Sequence, residues 1–310
     1  MMQIISASRR TDIPAFYGEW FMNRIREGYF IFKNPYNAKQ INKVSLLPGD
    51  VTAIVFWTKN PAPFLKYLDE LQERGYRFYF QYTLNGYGEE MEPFLPSIEK
   101  RIETFKKLSE KIGKEKVIWR YDPVIFSNVH DSNFHREKFS YILNELKDFT
   151  TRVVVSFVDE YRKATMNFKK LKEEGIDISQ PMETISKSFA AFMATEVREA
   201  GLEIQSCAEN IAFLPEVGIM PGKCIDADYL EKVFSFTLPE KLHLKDKSQR
   251  QECGCVVSKD VGIYDTCLHG CKYCYAGSYE AGKKNYEKHD PASPLLIGEY
   301  EEDKEQLSLF

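Results

Sequence analysis

Six short β-prone runs, each followed by a stretch of helical period, leave this chain few folds to choose from. The runs lie at residues 3–8, 51–58, 77–83, 117–122, 153–158 and 203–207, and several are almost continuously apolar. A strand with one wet face alternates apolar and polar residues, whereas a continuous run suits a parallel strand covered on both faces. Between the runs, apolar residues recur at helical spacing: Phe64, Leu68 and Leu71; Ile98, Ile102, Phe105 and Ile112; Phe139, Ile142, Leu143 and Leu146; Ile185, Phe189, Phe192, Met193 and Val197. Each set forms a stripe that a helix can lay on a sheet. The succession predicts an α/β fold, a parallel sheet curling into a partial (β/α)6 TIM-like barrel; a flat doubly wound sheet is the alternative. At 310 residues, 43% hydrophobic and 14% aromatic, the chain has the material for such a core.

The pattern changes near residue 238. We expect residues 1–237 to form the barrel, 238–285 a cysteine-rich segment folded over the barrel mouth, and 286–310 a polar tail without a core-forming period. The start of the chain lacks a signal-peptide pattern. No run approaches the roughly 20 apolar residues that span a bilayer, so the expected location is the cytoplasm, with no membrane partner. The net charge is −4, and the last twelve residues account for it with five carboxylates against Lys304. Overall charge therefore gives no support for non-specific binding to nucleic acid, although it leaves room for a local basic groove.

Polar residues follow the strand runs, where a barrel enzyme assembles its site. Arg9, Arg10, Lys59 and Arg120 are candidate cations for an anionic ligand group, and Ser8, Asp12, Asn60, Gln81 and Asn85 are candidate hydrogen-bonding partners. Structural roles compete for several of them. Asp12 can cap a helix starting near Pro14, Asn60 one starting at Pro61, and Arg120 can pair with Asp122. Trp57, Tyr82, Tyr87 and Tyr121 are aromatic residues suited to the core or to stacking on a planar ligand.

All seven cysteines stand at or after Cys207. An odd number in a chain without a secretory signal argues for metal ligation or catalysis over a disulfide framework. Cys267, Cys271 and Cys274 follow a Cys-x3-Cys-x2-Cys spacing. A tight loop of this kind can present three thiolates to a four-iron four-sulfur cluster and leave one iron open. Zinc held by these cysteines with His269 or another cysteine is the alternative. Cys207, Cys224, Cys253 and Cys255 remain, enough for a second 4Fe-4S cluster or a zinc ion. The one-residue gap in Cys253-Gly254-Cys255 is tight for zinc, and Cys207 and Cys224 also read as ordinary buried residues.

With Tyr273 just before the third cysteine, the loop resembles the signature of radical S-adenosylmethionine enzymes. That resemblance implies that S-adenosylmethionine chelates the open iron and is cleaved by one electron to a 5'-deoxyadenosyl radical. It also implies an electron donor such as flavodoxin or ferredoxin. In typical members the cysteine loop follows the first strand; here that place is taken by Ser8-Arg9-Arg10-Thr11-Asp12. Together with Phe-Trp-Thr-Lys-Asn-Pro at 56–61, Gln-Tyr-Thr-Leu-Asn-Gly at 81–86, Trp-Arg-Tyr-Asp-Pro at 119–123 and the late cysteines, this arrangement resembles the domain of unknown function 1848 family. The cluster would then reach the barrel mouth from the C-terminal side. The last five residues, Gln306 to Phe310 behind an acidic run, resemble the motif by which bacterial replication and repair proteins dock on the DNA sliding clamp. That resemblance implies a clamp partner and a DNA substrate, in the manner of radical-type photoproduct lyases. A small molecule, peptide or RNA substrate, or a metal-bound module without turnover, are the other readings.

Overall fold

The computed structural model describes residues 2–34, 37–158, 162–178 and 186–300. Its strands are β1 (Gln3–Ala7), β2 (Tyr29–Asn34), β3 (Asn37–Ser45), β4 (Val51–Thr58), β5 (Phe78–Thr83), β6 (Val117–Val124), β7 (Arg152–Phe157), β8 (Glu203–Ser206), β9 (Met220–Pro221) and β10 (Lys259–Asp260). The helices are α1 (Ile13–Phe16), α2 (Gly18–Glu27), α3 (Leu68–Glu73), α4 (Ile98–Ile112), α5 (Ser132–Leu146), α6 (Arg162–Glu173), α7 (Lys187–Glu199), α8 (Ala227–Phe234) and α9 (Tyr279–Tyr286).

All six expected strands pair in one sheet, in the order β10-β1-β4-β5-β6-β7-β8-β9, and every pairing is parallel. The sheet has eight strands rather than six, and β10 and β9 are its two edges. It is not a closed barrel. The two added strands are two residues long, too short to leave a periodic signal in the sequence. The sequence reading also missed the antiparallel hairpin β2–β3, a separate two-stranded sheet.

Side-chain alternation divides the strands into two cores. Ile5, Phe56, Phe80, Trp119 and Val155 face one side, where α2, α3, α4, α5 and α7 bury the stripes read from the sequence. Ile4, Val55, Tyr79, Ile118 and Val154 face the other, against α8 and the segment that follows it. A doubly wound sheet reverses its strand order and carries crossover helices on both faces. Here the main run β1-β4-β5-β6-β7-β8 follows chain order, and α2, α3, α4, α5 and α7 from its connections pack on one face, against that alternative; α6 packs instead with Tyr87, Met91 and Cys271.

The second face explains why no core period is visible after residue 238. Leu238, Leu242, Cys253, Cys255 and Val256 fill it as isolated apolar residues, Leu242 from a single 3-10 turn and the rest from irregular backbone. Part of the expected polar tail is docked as well. Leu295 and Leu296 are buried, and the carbonyls of Pro291, Ala292 and Ser293 accept hydrogen bonds from Asn23, Arg24 and Trp20 on α2. The 306–310 motif and Ile185 lie outside the described residues, among which no helix is long and apolar enough to cross a membrane.

Candidate functional site

A cavity of about 460 Å³ opens at the carboxyl ends of the strands. It is lined by Ser8 and Arg9 after β1, Trp57 and Lys59 at the end of β4, Arg120 and Asp122 in β6, Ser156 in β7 and Cys207 after β8. The remaining cysteines line it too, so the two groups separated in sequence share one chamber.

The three-cysteine loop is seated on the loop that follows β1. Asp260 of β10 accepts from Ser6 Oγ at 2.9 Å, Ser8 Oγ at 2.6 Å, Arg9 N at 3.1 Å and Gly262 N at 2.9 Å. Gly262 is required here, because a Cβ at that position would lie 1.9 Å from Ser8 Oγ. Thr11 and Thr266 share a hydroxyl contact of 2.6 Å, and Tyr17 donates to Thr266 O at 2.7 Å. Asp12 caps α1 through Ala15 N at 3.0 Å, accepts from Lys59 N at 2.7 Å, and meets His269 Nε2, inside the cysteine loop, at 2.7 Å. The loop turns at Gly270, whose φ of +68° favours glycine.

Below the loop lies a buried ionic network. Glu92 accepts from Lys59 Nζ at 2.8 Å and Arg101 Nη1 at 2.9 Å, and the Tyr273 hydroxyl donates to the same carboxylate. Lys59 Nζ also lies 2.8 Å from the Tyr273 hydroxyl. Burial alone would lower the Lys59 pKa and raise that of Glu92. Their mutual attraction outweighs it, with Cys271 acting on Lys59 and Arg101 on Glu92, so the ammonium stays above and the carboxylate below its ordinary value. Glu92 was absent from the sequence reading, because it stands in a turn without strand or helix period.

The second group begins with Cys207 and Cys224, whose sulfurs lie 3.3 Å apart. Cys224 also bonds Cys255, and Cys255 bonds Cys253, so the four thiols form a chain of contacts. Arg120 Nη1 donates to Cys224 Sγ at 2.8 Å and pairs with Asp122, while Arg9 bonds Cys255. Arg9 and Arg120 flank Trp57 at 5.2 and 5.1 Å from its ring centroid. The hydrogen bond from Cys224 holds the Cys207 thiol down, to about 7, against the opposing effect of burial and with help from Arg120. In the three-cysteine loop burial dominates: it pushes Cys271 up to about 12 and Cys267 well above its ordinary value. Among the described residues, no three or more His, Cys, Asp or Glu form a group arranged to hold a single metal ion.

Of the ligand-binding candidates, Ser8, Arg9, Arg10, Asp12, Lys59, Arg120 and Tyr273 line the cavity. Asn60 and Gln81 do not. Asn60 accepts from Ala62 N at 3.3 Å, and Gln81 spans Cys224 O at 2.8 Å and Arg120 Nη1 at 3.2 Å. Asn85 also serves the framework, donating to Asp122 O at 3.0 Å and Tyr273 Oη at 3.3 Å. Tyr82, Tyr87 and Tyr121 are core residues, which leaves Trp57 as the cavity aromatic of that set.

An open parallel sheet, with a cysteine-lined chamber at the carboxyl ends of its strands and a C-terminal segment closing it, defines the class of this α/β protein. The chain belongs to the family described as Domain of unknown function (DUF1848), whose family model matches residues 4–276. Comparison with curated proteins and with solved structures finds no match.

Proposed function

We propose that this protein is a radical S-adenosylmethionine enzyme built on a partial barrel, with Cys267, Cys271 and Cys274 holding a 4Fe-4S cluster. The observation that carries this reading is the seating of their loop at the carboxyl ends of the strands, clamped by Asp12 and His269 beside a cavity of ligand size. The donor set fits the cluster. Cys267, Cys271 and Cys274 stand on one loop, all three line the chamber, and all three are free thiols, the soft sulfur donors that iron–sulfur clusters take. Bound there, the cluster supplies one electron for cleavage of the cosubstrate sulfonium and so gives access to a 5'-deoxyadenosyl radical.

The chain's own residues bind, orient and exclude water. Lys59, Arg9, Arg10 and Arg120 offer cationic donors for a carboxylate, and Trp57 offers a ring face in the same chamber. The network around Glu92 holds Tyr273 and Lys59 in fixed positions under the cysteine loop. Cys207, Cys224, Cys253 and Cys255 would hold the second 4Fe-4S cluster, or zinc after rearrangement of the four thiols, with Arg120 beside Cys224 and Arg9 beside Cys255 to offset thiolate charge. Reduction requires a one-electron donor of the flavodoxin or ferredoxin type.

A DNA substrate rests on the 306–310 motif alone, and a small molecule, peptide or RNA is the competing substrate class. Deleting those five residues should abolish binding to a bacterial sliding clamp; retained binding removes the DNA argument. The activity test is anaerobic reconstitution with iron and sulfide, reduction, and assay for 5'-deoxyadenosine after adding S-adenosylmethionine. Product from the wild type and none from Cys267→Ala is the expected result. A loaded, reduced protein that leaves the cosubstrate intact is a metal-bound module and sinks the enzyme reading.

A further inference from the structure

The mouth of the chamber differs in kind from its interior. Among the described residues that line it, the exposed ones are Arg250, Tyr264 and Tyr275. The two rings are 46% and 41% exposed. Half-buried Arg10 joins them, its guanidinium 4.9 Å from the Tyr264 ring centroid. The opening is therefore rimmed by phenol rings and guanidinium groups.

This rim is assembled before any ligand arrives. Thr11 Oγ1 donates to Ile263 O at 3.0 Å and accepts from Ile263 N at 3.1 Å, which holds the neighbours of Arg10 and Tyr264 against each other. Arg10 N donates to Ser8 Oγ at 3.1 Å, the Tyr275 hydroxyl to Arg9 O at 2.8 Å, and Asp265 N to Ala276 O at 2.9 Å. Groups fixed in this way lose little freedom on binding.

Charge is used unevenly around the chamber. Lys59 is offset by Glu92, Arg120 by Asp122, and Arg9 by Cys255 and Asp260. Asp12 takes His269 and two backbone N–H groups, and Asp122 takes Arg120 and Ser156. Arg10 has no ion-pair partner among the described residues and lies on the Tyr264 ring instead. An uncommitted guanidinium at an opening suits an anion, and its planar fork matches the oxygens of a phosphate. A carboxylate would satisfy Arg10 but leave the exposed rings unused. A base carried beside a phosphate uses both, by the stacking and backbone contact that hold single strands.

We propose that the substrate of this chamber is a nucleoside phosphate, with Arg10 on its phosphate and Tyr275 stacked on its base, a proposal that rests on the function proposed above. Tyr264 is the residue that positions Arg10. The phosphate belongs to a free nucleotide or to a nucleic-acid strand, which share this chemistry.

The test uses the full chain, reconstituted anaerobically, with iron counted first and binding followed by fluorescence anisotropy. The probes are a labelled single-stranded octamer of mixed sequence, the same octamer without bases, and the four deoxynucleoside monophosphates as competitors. Wild type should bind the octamer about tenfold more tightly than its abasic form. Arg10→Gln, with iron retained, should bind the octamer about tenfold more weakly and reduce the slope of log affinity against log salt by about 0.7. Arg10→Lys keeps the charge without the fork, so it should hold the slope and still bind about threefold more weakly. Tyr275→Leu should lose the preference for the octamer over the abasic form. Displacement by a monophosphate at a concentration similar to that of the octamer makes the source a free nucleotide; a need for far more makes it a strand.

An unchanged salt slope in Arg10→Gln overturns the proposal, as does wild-type binding that ignores the bases. Displacement of the octamer by S-adenosylmethionine gives the rim to the cosubstrate and overturns it too. Assay of 5'-deoxyadenosine on the same preparation separates the two levels. A protein that cleaves S-adenosylmethionine but binds neither octamer nor monophosphate loses this proposal alone. One that binds the octamer and never cleaves the cosubstrate loses the enzyme reading, and with it the assignment of the nucleoside phosphate as substrate.

Discussion

Glu92 concentrates at one carboxylate what the site requires of a buried side chain. It is 2% exposed and satisfies an ammonium, a guanidinium and a phenol from three different parts of the chain. Glu92→Gln leaves two buried cations without a counter-charge, which should cost about 3–5 kcal/mol. Chemical denaturation at neutral pH measures it, and a loss below 1 kcal/mol would mean that water or another group compensates. His135 gives a pH signature. Burial, with nearby His130, holds its pKa down to about 4 from the usual 6.5. Because the folded value is depressed, its contribution is fully present above pH 6.5 and is lost as pH falls toward 4, by about 3 kcal/mol in all. Unfolding free energies between pH 7 and 4 should show this slope in the wild type, and His135→Asn should lose that part of it.

At the level of elements, β10 matters beyond its two residues. It adds to the edge of β1 and carries Asp260, which ties the C-terminal segment to Ser6 of β1 and to Ser8 and Arg9 of the loop after it, with a fourth bond from its own neighbour Gly262. Asp260→Ala should lower stability by about 3 kcal/mol, seen in the denaturation midpoint. Amide exchange in residues 259–276 should rise more than in β4 or β5; uniform change across the sheet would contradict the stapling role. The sequence could not show this strand, because two residues have no period and Lys259-Asp260 reads as a solvated charge pair. The long runs were legible for the opposite reason. Val51–Thr58 and Phe78–Thr83 are buried almost throughout, so nearly every residue carries the signal. The cap expected at Asp12 was legible as well, since it serves Ala15 N three residues on; the one expected at Asn60 did not form, because the short helix there starts after Pro61 without a side-chain cap and Asn60 accepts from Ala62 N in a local turn.

Across the whole molecule, the chamber joins residues more than 250 positions apart, and both cysteine groups line it. If both groups hold four-iron clusters, the triple variant Cys267→Ala, Cys271→Ala, Cys274→Ala should keep about four irons of about eight. Iron analysis after anaerobic reconstitution decides this. A variant with no iron, whose wild type also holds about four, leaves the second site to zinc or to plain buried thiols. Spacing within ten residues was enough to single out Cys267, Cys271 and Cys274, because one loop sets the geometry of all three. The pairing of Cys207 with Cys224, the approach of Arg9 and Arg120, and the closing of the Asp12–His269 contact were not legible in that way. They depend on how the second face of the sheet is filled by residues 224–256 and on where β10 lands. Periodicity and loop spacing are local properties that neighbouring residues impose on one another, so they can be read along the chain. Contacts between distant segments are chosen by packing and burial of the folded whole, and only the tertiary structure decides them.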